Sequence, residues 1–241
     1  MALTVLLPGC LKNPRLGKDE GRAAIVWENP GLGAAAPSPA EKETEHELLA
    51  EKRQAEDQGG DELAHATTLY RLAILRRQQG NLAEAENLYR QALAIRERRQ
   101  GPAHPDVAII LNNLAAVYAA EGKYDAAQPL LERSVEIRQT ALGEDHVRTA
   151  ESLNNLALLY AAQGKPAAAE QLYRRAITVL EKQSATPSAA TQGELDRVLE
   201  NYAALLWDTG RDREAEAMEA RVRLLRATNG RPADALRDTA P

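Results

Sequence analysis

Residues 101–139, GPAHPDVAIILNNLAAVYAAEGKYDAAQPLLERSVEIRQ, lie over residues 143–181, GEDHVRTAESLNNLALLYAAQGKPAAAEQLYRRAITVLE, when the chain is shifted by 42 positions. The overlay holds 17 identities in 39 positions without a gap. Leu111-Asn112-Asn113-Leu114-Ala115 returns as Leu153-Asn154-Asn155-Leu156-Ala157, and Gly101, His104, Tyr118 and Gly122 return as Gly143, His146, Tyr160 and Gly164. A fixed period of this length marks a stacked repeat, in which each unit buries its apolar side only against its neighbours.

The period reaches outward from these two units. Leu72, Ala73, Gly80 and Ala85 precede Leu114, Ala115, Gly122 and Ala127 by the same 42 residues. Forward, Asn201, Ala203, Gly210 and Ala215 match Asn155, Ala157, Gly164 and Ala169 after a four-residue insertion. Four units result, at about 61–101, 102–143, 144–185 and 190–227. The outer two are degraded, as the ends of a stack are.

Each unit reads as two helices. Val107, Ile110, Leu111, Leu114, Val117 and Tyr118 recur at steps of three and four, and Gly122 stops the helix. A second apolar stripe follows through Ala127, Leu130, Leu131, Ser134, Val135 and Ile137. Pro129 lies beyond the first turn of that second helix and predicts a kink there, whereas Pro166 opens its own helix and is tolerated. Ala115, Ala157 and Ala203 let helix backbones approach, while Tyr89, Tyr118, Tyr160 and Tyr173 fill the space between neighbours.

The pattern Leu111, Leu114, Ala115, Tyr118, Gly122, Tyr124, Ala127, Leu131, Ser134 resembles the tetratricopeptide repeat. The 42-residue period, the Leu-Asn-Asn-Leu-Ala string and the Gly-x-x-His corner resemble its kinesin-light-chain-like subclass. The likeness covers about 61–227 and departs at the ends, where Arg76 replaces the tyrosine and Glu219 the large apolar residue. It implies an all-α, right-handed α-solenoid of about four helix-turn-helix repeats. It further implies a non-catalytic scaffold that binds a peptide or helix segment in a concave groove.

The resemblance places the second asparagine of each pair in that groove: Asn113, Asn155 and Asn201, with Arg71 at the matching place in the first unit. Around them fall Thr67, Ile109, Glu151 and Arg197 one turn before, and Ala116, Leu158 and Ala204 after. An amide is both donor and acceptor, so a column of amides can pair with the backbone of an extended peptide. Capping of neighbouring turns, or water binding, is the alternative use. Only Arg71 and Arg197 are basic among these residues, too few for a dedicated carboxylate clamp.

Other functions find little support. A net charge of −5, from 30 basic and 35 acidic residues, argues against a phosphate-backbone binder, so no nucleic acid is expected. Aromatic residues make up only 4% and Phe is absent, which disfavours a β-sandwich or barrel. There is no nucleophile elbow, phosphate loop, zincin motif or dinucleotide fingerprint, so no enzyme and no cofactor are expected. His104 and His146, with Asp106 or Asp145, have the composition of a metal site, but duplication of a helix-capping loop explains the pair and no metal is expected. Self-association of the array into a homo-oligomer stays open as a second reading.

Residues 11–60 read as a flexible linker and charged arm, partly helical over 41–57 and set off from the repeats by Gly59-Gly60. Residues 228–241 read as a disordered tail. Leu7-Pro8-Gly9-Cys10 resembles a bacterial lipoprotein processing box, which implies lipidation at Cys10 and a membrane-anchored periplasmic protein. No Lys or Arg precedes Cys10 and the apolar run is short, so a plain apolar N-terminus on a cytoplasmic protein is the other reading.

Overall fold

Gly101 and Gly143 stand at the corners between successive helix pairs with φ of 92° and 99° and ψ near 155°. Only glycine occupies that region without strain. Each corner then delivers the chain to a histidine: His104 Nδ1 accepts from the backbone N–H of Asp106 at 3.2 Å, and His146 Nδ1 from that of Arg148 at 3.1 Å. The two histidines are therefore N-caps, which is why duplication preserves them. Within each pair the turn closes differently. The Lys123 and Lys165 N–H groups reach back to the Tyr118 and Tyr160 carbonyls at 2.8 Å, the long bond of a Schellman ending.

A computed structural model describes residues 39–58, 60–183 and 189–229. Cys10, Gly59 and almost all of the 228–241 tail lie outside the described residues. The elements are α1 (Pro39–Gln58), α2 (Glu62–Gln78), α3 (Leu82–Gln100), α4 (Pro105–Ala120), α5 (Tyr124–Leu142), α6 (Val147–Ala162), α7 (Pro166–Lys182), α8 (Ala189–Asp208) and α9 (Asp212–Asn229). There is no strand among the described residues.

Helices α2/α3, α4/α5, α6/α7 and α8/α9 form four antiparallel pairs, and each second helix packs on the first helix of the next pair. The first helices also touch in succession, α2 to α4 to α6 to α8. They therefore line one side of the stack and the second helices line the other. Ala73, Ala115 and Ala157 are fully buried, as are Ala85, Ala127, Ala169 and Ala215 on the second helices. Two rows of methyl groups set the close approach that the repeat demands.

Two features add to the sequence reading. Helix α5 runs as one element from Tyr124 to Leu142 across Pro129, whose ring is exposed. The missing proline N–H removes one ladder bond without ending the helix. The charged arm is helix α1, and it docks on α2 rather than standing apart. Leu48 is buried, Glu51 accepts from the Thr68 hydroxyl, and Glu45 accepts from Arg76 and from Gln79. Those two hydrogen bonds hold the Glu45 carboxyl below its ordinary range, Gln79 contributing most. Arg76 stands where the later units have tyrosine because its partner is this carboxylate.

Candidate functional site: the face lined by first helices

Side chains three, four and seven residues apart share a helix face. Asn113, Ala116 and Ala120 form such a stripe on α4, and Arg71, Ile74 and Gln78 on α2. The stripe is accessible at the N-terminal end of the face. Arg71 is exposed, and Tyr70, Ile74, Ile109, Asn113 and Ala120 are half-buried. Arg71 makes no ion pair among the described residues, although most of the other arginines do.

Asn113 is held on two sides. Its Nδ2 donates to the Ile109 carbonyl at 3.0 Å, one turn back, and to the Tyr70 hydroxyl at 3.2 Å on α2. Tyr70 is itself supported by Tyr89, with ring centroids 5.9 Å apart in a tilted arrangement. Tyr70 was not singled out by sequence reasoning. The signal was present, since it occupies the place of Asn112 and Asn154 in the two later units.

Toward the C-terminal end the face closes. Asn155 and Leu158 are each only 2% exposed, and Asn201 is 7% exposed. Asn201 Nδ2 donates to Asn154 Oδ1 at 3.0 Å, tying α8 to α6. Asn112 points into the stack and donates to the Ser152 hydroxyl at 3.1 Å, which lies 2.9 Å from the Ser134 hydroxyl. Glu151 is buried between Arg138 at 3.1 Å and Arg148 at 2.9 Å. Arg197 pairs with Glu194 along α8. Helix α8 spans 20 residues against 16 in α4 and α6, and it packs on both α7 and α6.

The six expected groove residues thus divide. Arg71 and Asn113 lie at the accessible end. Asn155, Leu158 and Asn201 lie under the closed end, and Arg197 is half-buried beside them with its charge matched. What the accessible part offers is one exposed cation, a shallow apolar strip and one amide with its orientation fixed. No helix among the described residues is long and apolar enough to cross a membrane.

The Tetratricopeptide repeat family profile matches residues 49–98, 64–140 and 106–182, together more than half of the chain. None of the curated proteins matches the sequence. Among solved structures, BtubC (BKLC) from P. vanneervenii superposes with a TM-score of 0.70 at 24% identity, covering 80% of this chain and 76% of that one. Kinesin-light-chain TPR-like repeats from Podosopora anserina superpose with a TM-score of 0.63 at 24% identity, covering 80% and 90%. The apo form of RapI gives 0.61 at 18% identity, covering 75% of this chain and 49% of its own. Proteins of this repeat family typically serve as non-catalytic scaffolds and bind protein partners. The period, the paired helices and these matches agree: the chain belongs to the tetratricopeptide repeat family, and its α-solenoid has the same fold as the kinesin-light-chain TPR-like repeats.

Proposed function

We propose that the chain is a non-catalytic scaffold that binds an extended peptide or a helical segment of a partner protein on the face lined by its first helices. The observation that carries this reading is the accessible strip of Arg71, Ile74, Ile109, Asn113 and Ala120 at the N-terminal end of the face lined by first helices. Binding begins at that N-terminal strip. Asn155, Leu158, Asn201 and Arg197 join only if the closed end of the face opens. Apolar contact with Ile74 and Ile109 supplies affinity, and polar groups fix register. A micromolar dissociation constant, about −8 kcal/mol, is the ordinary expectation for such a surface.

Self-stacking into a homo-oligomer has less support. The outer face of α9 carries Glu219, Arg223 and Arg226 where α7 carries Tyr173, Ile177 and Leu180. A polar last face seals a solenoid against a further unit. A membrane tether through Cys10 is a separate proposal, tested by labelling with a palmitate analogue with and without Cys10.

Selection of the full chain against a displayed library of random 12-residue peptides tests the groove. The expected result is an enriched peptide whose binding is lost in Ala120→Arg while the melting curve stays unchanged. Failure to enrich any peptide, or binding indifferent to Ala120→Arg, overturns the reading.

A further inference from the structure

Helix α1 fills the place that a second helix of a preceding repeat would take, since each second helix packs on the next first helix and α1 packs on α2. It does so with little apolar surface. Leu48 is the one buried side chain among those described on α1, with Leu49 and Ala55 half-buried, whereas α3 buries Ala85, Leu88, Tyr89 and Ala92. The other contacts are polar. Glu45 accepts from Arg76 and, at 2.9 Å, from Gln79, and Glu51 accepts from the Thr68 hydroxyl at 3.0 Å. On the receiving side Thr68, Leu72, Leu75, Arg76 and Gln79 recur at steps of three and four and so share one face of α2. That face is rich in leucine and in hydrogen-bond donors, and the helix on it is thinly anchored. An element with few buried apolar contacts opens at low free-energy cost.

The α2 side is preformed without α1. Arg76 Nη1 also donates to Gln79 Oε1 at 2.8 Å, and Arg76 Nε pairs with Glu84 of α3 at 2.9 Å, so release of α1 strands no charge there. We propose that α1 is a displaceable strap, and that the α2 face beneath it is a docking site for a helix of a partner protein carrying Glu-x-x-Leu-x-x-Glu, the pattern of Glu45, Leu48 and Glu51. The leucine packs on Leu72 and Leu75, one carboxylate meets Arg76 and Gln79, and the other meets Thr68. A partner helix with more apolar surface beside its leucine gains burial that α1 does not supply, which is how it displaces the strap. Arg71 and Ile74 lie on another face of α2, so this site is independent of the peptide strip.

The probes are two labelled synthetic helices: a copy of residues 39–58, and an alanine/lysine host helix in which only Glu-x-x-Leu-x-x-Glu is installed. The full chain is tested as wild type and as Leu48→Asp, which loosens the strap in cis. The tether holds α1 at an effective concentration on the order of millimolar, so both probes are expected to bind Leu48→Asp about tenfold or more tightly than wild type. Versions of the probes with lysine in place of both glutamates are expected not to bind. Equal binding to wild type and Leu48→Asp, no binding to either, or binding indifferent to the lysine exchange overturns the proposal. Binding of the copy but not of the host helix overturns the recognition pattern. A concentration-dependent wild-type dimer that Leu48→Asp dissolves overturns the partner reading and assigns the site to the α1 of a second copy. A second readout needs no variant. In the full chain the α1 backbone amides are expected to exchange with solvent about a hundredfold faster than those of α4. Equal protection of the two helices overturns the strap.

Discussion

The Tyr118 hydroxyl on α4 donates to Glu86 Oε1 at 2.8 Å and accepts from Arg90 Nη2 at 2.6 Å, both on the preceding helix α3. One phenol thereby closes a Glu–Arg pair spaced four residues apart and latches a first helix to the second helix before it. The latch repeats. Tyr160 donates to Glu132 at 3.0 Å, and Tyr202 donates to Glu170 at 2.8 Å while accepting from Arg174 at 3.2 Å. At the first junction Arg76 and Glu45 stand in for it. Tyr118→Phe keeps the ring and removes the bridge. Stability is expected to fall by about 1 kcal/mol, read from urea unfolding, with no loss of helicity. An unchanged midpoint would show that the hydroxyl is idle.

The Glu170 latch sets a pH dependence. A hydrogen bond from Arg211, reinforced by one from Tyr202, holds the Glu170 carboxyl at about 2, below its ordinary 4.5. A folded-state value below the unfolded one means the carboxylate stabilises the fold above pH 4.5 and loses that effect as pH falls toward 2. Glu170→Gln is therefore expected to be less stable than wild type by about 1 kcal/mol at pH 7, with the gap closing between pH 4.5 and 2. Denaturant melts at pH 7, 4 and 2.5 check this. A gap that is constant with pH would assign the effect to packing instead.

Two buried arginines should answer the same substitution with opposite signs. Arg77 is 1% exposed, and its Nε and Nη2 have no hydrogen-bond partner among the described residues. It occupies the place of Ala119 and Ala161, and a guanidinium cannot shed its proton to escape burial. Arg138 is 3% exposed but donates to Glu151 and to the Arg148 carbonyl. Replacing a buried charge that lacks a counterion with an apolar chain removes a desolvation penalty, whereas breaking a buried pair strands the partner. Arg77→Met is expected to raise stability by about 1–2 kcal/mol and Arg138→Met to lower it by about 2–4 kcal/mol. Matching losses from both would show that Arg77 has a partner in solution.

Much of this architecture is legible along the chain. Glycine, alanine and tyrosine recur at a fixed spacing because each answers a local demand: a left-handed corner, a close backbone approach, a filled gap. The remainder depends on contacts that no periodicity encodes. Helix α1 has only Leu48 and Leu49 to bury among charges, so its composition reads as solvated, and its docking is decided by Arg76, Gln79 and Thr68 on another helix. Counting back from Gly210 puts Leu206 at the tyrosine position, yet the latch is made by Tyr202, which keeps the plain 42-residue step from Tyr160, because the four extra residues of α8 fall after it. Helical phase assigns a side chain to a face but does not report how closely the neighbouring helix lies on that face.

Pro129 offers the sharpest test of how the repeat tolerates a local fault. It is the sixth residue of α5, so its ring nitrogen sits where an N–H would bond to the Asp125 carbonyl. The residues around it are ordinary for the second helix: Ala127 and Leu131 are fully buried, and Pro129 itself is exposed. The helix persists because its buried stripe is anchored on α4 and α6, which outweighs an unfavourable backbone at one solvent-facing position. No burial is gained from the ring, so nothing in the packing offsets the lost bond. Pro129→Ala restores the N–H, removes the clash with the preceding turn and alters no contact on the face lined by first helices. Proline in a helix interior is about 3 kcal/mol less favourable than alanine, partly compensated by the stiffer unfolded chain. A net gain of about 1–3 kcal/mol in thermal or urea unfolding is expected, with affinity for the selected peptide unchanged. A loss of stability would mean that the second helix needs a bend at this point to follow its neighbours.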